Sequence, residues 1–220
     1  GPQPEETELP VLEIEDEGET VTPVFDDQGR LIALQSPELA AADIPNWVLD
    51  ARRRWQQYFD DPAILMIHPQ WPADTALHER LQQLDLPAAI GEQRYLMVNT
   101  GHYEACSGTS LEAQLQRLQA SLMLCNPDPA LLLSRAFGNP PIAGLHYTGE
   151  RLQLLQGQEI SARKAMARMK TLGVKLYVSD LDDLLQLAAA RQWQMDWLGG
   201  EALSRPVSSS QLQWLASIEG

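Results

Sequence analysis

The chain is short of cysteine, of long apolar runs and of cations, and each shortage removes a class of protein. Two cysteines in 220 residues, Cys106 and Cys125, cannot build a disulfide framework, so a reducing, cytoplasmic setting is expected. No apolar run of 18 or more residues occurs, so no membrane-spanning helix is expected within these residues. The chain opens Gly-Pro without Met, as after removal of a tag, which leaves room for a natural N-terminus or an anchor further upstream. Lys and Arg number 16 against 30 Asp and Glu. Residues 1–30 hold ten of those acids and one Arg, so −9 of the net −14 sits there. The remainder is only mildly acidic, which disfavours nucleic acid as a partner. Internal repeats are absent. So is a Walker A loop, and the sixth residue after Cys106 is Glu112, which excludes a Cys-x5-Arg phosphatase loop. His102, Cys106, Cys125 and His146 match no zinc spacing, so neither a metal nor another cofactor is expected. No Ser-His-Asp order or catalytic carboxylate pair stands out.

What is present reads as an α/β protein in three stretches. Residues 1–20 are an acidic flexible linker in which Leu12 and Ile14 alternate with Glu. Residues 21–90 hold a hairpin around Asp26-Asp27-Gln28-Gly29, a helix from Trp47 to Phe59, and one strand-helix unit (63–67 and 73–84). The Arg52-Arg53-Arg54 triplet on that first helix suits a phosphate, an acidic partner or the acidic linker. Residues 91–220 form the main domain. It starts with a strand at 95–98, a loop at 99–110, and a helix carrying Leu111, Leu115, Leu118 and Leu122 on one stripe. Four prolines between 126 and 141 surround a turn of helix, read as an interface-shaping insertion. The chain closes with a strand at 195–198 and a helix near 208–215.

The organising stretch is Ile142 to Asp180. Ile142–Tyr147 reads as a strand, Leu152–Leu155 as a second short one, and Ala162, Ala165, Met166, Met169 and Leu172 recur at helical spacing. Gly173 stops that helix, and Val174–Val178 is a strand ending at Ser179-Asp180. Strand, crossover helix, strand predicts a mainly parallel sheet flanked by helices, with its site at the carboxyl ends of the strands. Met166, Met169, Leu172, Val174, Leu176 and Val178 are expected in the core. Asp180 is the expected cap of the following helix, with Asp183 in its first turn.

The order RYLMVNTGHYEACSGTSLEAQLQRL, GLHYTGERLQLLQGQ, LGVKLYVSDLDDLLQLA resembles the DsrE/DsrF-like sulfur-relay family, the TusBCD type, over roughly Arg94 to Gly220. The resemblance implies a DsrE-like open sheet. It also implies that the sulfur-carrying cysteine of the catalytic members is replaced here by Ser179, which cannot form a persulfide. Three functions follow as expectations. One is a non-catalytic interaction or assembly subunit in a homo- or hetero-oligomer. Another is a sulfurtransferase using Cys106 instead, and the third an accessory domain of a larger membrane-associated or secretion complex.

Candidate residues fall in two loops and one helix face. His102, Tyr103, Cys106, Ser107, Gly108 and Thr109 occupy the loop before a helix, where backbone N–H groups can meet a ligand or where Ser110 simply caps. Tyr147, Gly149, Glu150, Ser179 and Asp180 stand at strand ends. Arg163, Lys164, Arg168 and Lys170 lie opposite the Ala/Met stripe, as a solvated face or a docking surface.

Overall fold

The computed structural model describes residues 21–104, 110–134 and 142–204; the linker, Cys106, Ser107, Gly108, Thr109 and the closing helix lie outside them. Eight strands close into a barrel in chain order. They are β1 (Thr22–Asp26), β2 (Leu31–Leu39), β3 (Ile64–Pro69), β4 (Gln93–Asn99), β5 (Ser121–Cys125), β6 (Ile142–Thr148), β7 (Lys175–Ser179) and β8 (Trp197–Leu198). From β2 to β8 all neighbours pair parallel, whereas β1 is antiparallel to both β2 and β8. Among the described residues the α-helices are α1 (Ile44–Gln56), α2 (Leu77–Gln83), α3 (Thr100–Glu104), α4 (Ser110–Leu118), α5 (Pro129–Leu133), α6 (Gly149–Leu154), α7 (Glu159–Thr171) and α8 (Leu184–Gln192).

Period-2 alternation builds two cores from one set of strands. Leu34, Leu65, Ile67, Leu96, Val98, Leu122, Leu124, Leu145, Leu176 and Val178 face outward into the layer beneath the helices. Val24, Ala33, Met66, Tyr95, Met97, Met123, Cys125, Tyr177 and Trp197 face inward and fill the barrel. Because both faces are buried, the strands read as unbroken apolar runs.

The expected open DsrE-like sheet does not form. β8 pairs with β7 through Tyr177↔Trp197 and with β1 through Phe25↔Leu198, so the hairpin of residues 21–90 seals the sheet and removes its edges. Strands from 21–90 and from 91–220 share this barrel. Leu152–Leu155 is helical because the Thr148 side chain accepts from Arg151 N and caps α6. Leu122 and Cys125 belong to β5; α4 stops at Leu118, where Gln119 turns to φ 50° and Ala120 N bonds back to Leu115 O. Leu172 caps the end of α7 and is 45% exposed, while Met166, Met169, Val174, Leu176 and Val178 are buried. Asp180 is not a cap. It lies in the left-handed region at φ 54°, and the Asp183 carboxylate receives Gln186 N at 2.8 Å instead. Asp183→Ala is therefore expected to cost about 1 kcal/mol, a fall of about 2–4 °C in Tm, and Asp180→Ala to lack this capping loss. An unchanged melting temperature for Asp183→Ala would refute this assignment.

At the base of the barrel the Arg triplet divides. Arg52 pairs with Glu92 and donates to Ala88 O, and Arg53 pairs with Asp50. Arg94 donates to the carbonyls of Pro87, Leu118 and Gln119.

Candidate functional site

The parallel strands all point their carboxyl ends at one mouth, the face on which barrels of this kind carry their sites. Continuing the inward alternation, the last inward positions are Gln35 and, past a bulge that puts it in register with His68, Glu38 on β2, His68 on β3, Asn99 on β4, Cys125 on β5, His146 on β6, and Tyr177 and Ser179 on β7. Asp180 follows β7 immediately. Two pairs among them meet: Tyr177 Oη donates to Gln35 Oε1, and His146 Nε2 lies 2.6 Å from Ser179 Oγ. The imidazole also sits 5.0 Å from the Tyr177 ring, tilted by 33°.

Ser179 Oγ donates to Asp180 Oδ2 at 3.4 Å, and a carboxylate is acceptor-only. The 2.6 Å contact joins the hydroxyl to His146 Nε2, its donor set by the imidazole tautomer, and leaves the other ring nitrogen, Nδ1. That Nδ1 is buried without a protein partner. Burial pushes the His146 pKa down to about 3, helped by nearby His68, so the ring is neutral at physiological pH. His68 is also lowered, chiefly by burial and against the pull of Glu38 and Asp180. Burial raises the Cys125 thiol to about 12, and Tyr177 is raised by burial and by Asp180.

The chemistry open to this arrangement is narrow. A nucleophilic serine needs a base beside it and access to substrate. Ser179 and His146 are only 4% and 6% exposed, and Ser179 stands between acid and imidazole rather than at the end of the relay. Phosphodiester hydrolysis is commonly driven by a pair of metal ions held by clustered carboxylates and imidazoles. Among the described residues, no group of three or more His, Cys, Asp or Glu is placed to hold a metal ion, so the residues present do not fit one.

Other expected site residues are spread over the surface or folded into the core. His102, on α3, tilts against Trp71 at 5.5 Å beside Asp74, Thr75 and Asn99, and Trp71 Nε1 donates to Met97 O. Tyr103 packs half-buried on the outer core. Tyr147 faces outward, buried, and donates to Pro127 O at 2.6 Å. Gly149 and Glu150 open α6, and a Cβ on Gly149 would stand 2.8 Å from Asp180 O. Arg163 pairs with Glu159 and lies over the Trp193 ring, Arg168 donates to Leu132 O, and Lys170 donates to Gln194 O. Arg163, Lys164 and Lys170 are exposed, as a solvated face requires, and Arg168 is half-buried. Sequence reasoning missed Gln35, His68 and Tyr177. The available signal was inward alternation on three strands, which carries meaning only once the barrel is closed.

The sequence matches no protein-family model and no curated protein. The fold is similar to solved EAL domains. The EAL domain of Mycobacterium smegmatis DcpA aligns at TM-score 0.64 and 15% identity, over 90% of this chain and 96% of that one. An EAL domain protein from Listeria monocytogenes EGD-e aligns at TM-score 0.60 and 17% identity, over 97% and 98%. The PaMucR phosphodiesterase in complex with c-di-GMP aligns at 0.58 and 14%, over 92% and 98%. These likenesses overturn the DsrE/DsrF-like reading and its sulfur-relay subunit and sulfurtransferase functions. Ser179 is instead buried between the His146 imidazole and the exposed Asp180 carboxylate. No helix among the described residues is long and apolar enough to cross a membrane. The chain has the closed-barrel fold of EAL domains.

Proposed function

We propose that this chain is an EAL-fold regulatory domain that acts by binding and not by turnover. One observation carries the reading. The inward strand-end positions hold mostly neutral groups, Gln35, His68, Asn99, Cys125, His146 and Ser179, with the carboxylates Glu38 and Asp180 beside His68, and no group of three or more His, Cys, Asp or Glu among the described residues is placed to hold a metal ion as a hydrolase needs. The same groups are spent on each other, through Tyr177–Gln35 and His146–Ser179. The buried Cys125 thiol suits a reducing, cytoplasmic setting.

The test is hydrolysis of cyclic di-GMP by the purified chain in Mg2+ or Mn2+, beside an active EAL phosphodiesterase. The expected result is no linear dinucleotide above the protein-free control. Product that rises in proportion to the amount of this chain would overturn the reading.

A further inference from the structure

Helix α8 reads LLQLAAARQ and is apolar on two faces. Leu187, Ala189 and Ala190 are buried against the barrel side. Leu184 and Leu185 are 75% and 77% exposed, and Ala188 is exposed in the next turn. A contiguous apolar patch left exposed beside a buried face marks a surface for a partner. The patch continues onto neighbouring elements. Gln186 Nε2 donates to Gln153 Oε1 at 3.3 Å, tying α8 to α6, whose last residue Leu154 is 62% exposed. On α7, Ile160 is 75% exposed, and Arg163 one turn on lies over Trp193, the residue that caps α8.

We infer that this face joins two copies of the chain, with α8 packed antiparallel on α8 about a two-fold axis at Ala188. Charge selects the occupant and its direction. Asp182 and Asp183 stand before the first residue of α8, and Arg191 lies one residue from its end. Antiparallel pairing brings the acidic start of each helix beside Arg191 of the other copy; parallel pairing sets like charge against like. Ala188 is the middle residue of the helix, so a two-fold axis there superposes the two segments along their full length. Its methyl group also allows the two axes to approach to about 8 Å. Leu185 of each copy then covers the aliphatic stem of Arg191 in the other. The contact is self-complementary, as a closed dimer requires.

The test is sedimentation equilibrium of the full chain from about 10 to 300 μM, with three sets of variants. The expected result is a monomer–dimer equilibrium weakened at least tenfold by Leu184→Asp with Leu185→Asp, with Tm unchanged. Arg191→Glu should weaken it as well, and Asp182→Arg added to that variant should restore it. In a Cys106→Ser background, Ala188→Cys should form a disulfide-linked dimer on oxidation, and Glu79→Cys on α2 should not. The proposal is overturned by a monomer throughout the range, which is also the outcome if another segment or another protein covers the leucines. A dimer indifferent to both the aspartates and the charge swap, or equal cross-linking at 79 and 188, overturns it equally.

Discussion

Replacing Glu92 with alanine is expected to cost about 3–5 kcal/mol, the usual penalty for stripping one member from a buried ion pair. The side chains of Glu92, Arg94 and Arg52 are 3%, 1% and 11% exposed. Glu92 Oε1 pairs with Arg52 and lies 3.8 Å from Arg94 Nη1, and Oε2 receives Ile90 N at 2.9 Å. Without the carboxylate, two guanidinium groups face each other in a poorly hydrated base, and the turn before β4 loses its anchor. Equilibrium unfolding in urea checks the size, and a loss under about 1 kcal/mol would sink the argument. The pH dependence supplies a second reading. Burial alone would raise the Glu92 pKa, but the Arg52 hydrogen bond, the Ile90 amide and the Arg52 charge outweigh it, and the net shift is downward from 4.5. A carboxylate with a depressed folded pKa contributes stability that is complete above its unfolded value and lost as pH falls through the folded one. The gap between the natural chain and Glu92→Ala should therefore be constant near neutrality and shrink below about pH 4.

Gly200→Ala is expected to lower Tm by about 6–12 °C or to prevent soluble recovery, corresponding to about 3 kcal/mol or more. Gly200 sits just past β8 at φ 129°, a region that residues with a Cβ rarely adopt. A Cβ there would lie 2.2 Å from Leu181 N and 2.6 Å from Leu181 O. Those are backbone atoms held by Leu181 N→Gly199 O and Ala202 N→Leu181 O, so no side chain can rotate aside to make room. Gly29→Ala is the control: φ is 82°, but nothing lies within 4 Å, so only the backbone strain of about 1 kcal/mol applies. An unchanged melting temperature for Gly200→Ala would mean that the β8 crossing is looser than described.

Individual elements were legible where the pattern was local. The hairpin at Asp26–Gly29, the Ala/Met face of α7, its stop at Gly173 and the strand Lys175–Ser179 all follow from neighbours in sequence. Closure did not, because it rests on a two-residue strand, Trp197–Leu198, meeting Phe25 and Asp26 about 170 positions away. An open parallel sheet and a closed barrel share the same strand–helix–strand grammar, so the DsrE-like order of motifs could not separate them. The site shared this fate. His146 and Ser179 are 33 positions apart and meet only through the β6–β7 register, and Gln35 reaches Tyr177 across 142. A helix stripe extended through Leu122 failed for a simpler reason: leucine suits both periods, and Gln119 breaks the helix without a Gly or Pro to announce it.

The reversed first strand sets the wiring of the molecule. Had β1 run with the others, chain entering ahead of it would arrive at the base, a barrel's height from His146. Because β1 is antiparallel, Thr22 stands level with Gln35 near the mouth, and β8 delivers the chain to the same side, where Gly200 bridges Ser204. The first and last described residues therefore share one face, opposite the Glu92 base. A fluorophore carried on Thr22 would report on the mouth, whereas one carried on Gln93 at the foot of β4 would be blind to it.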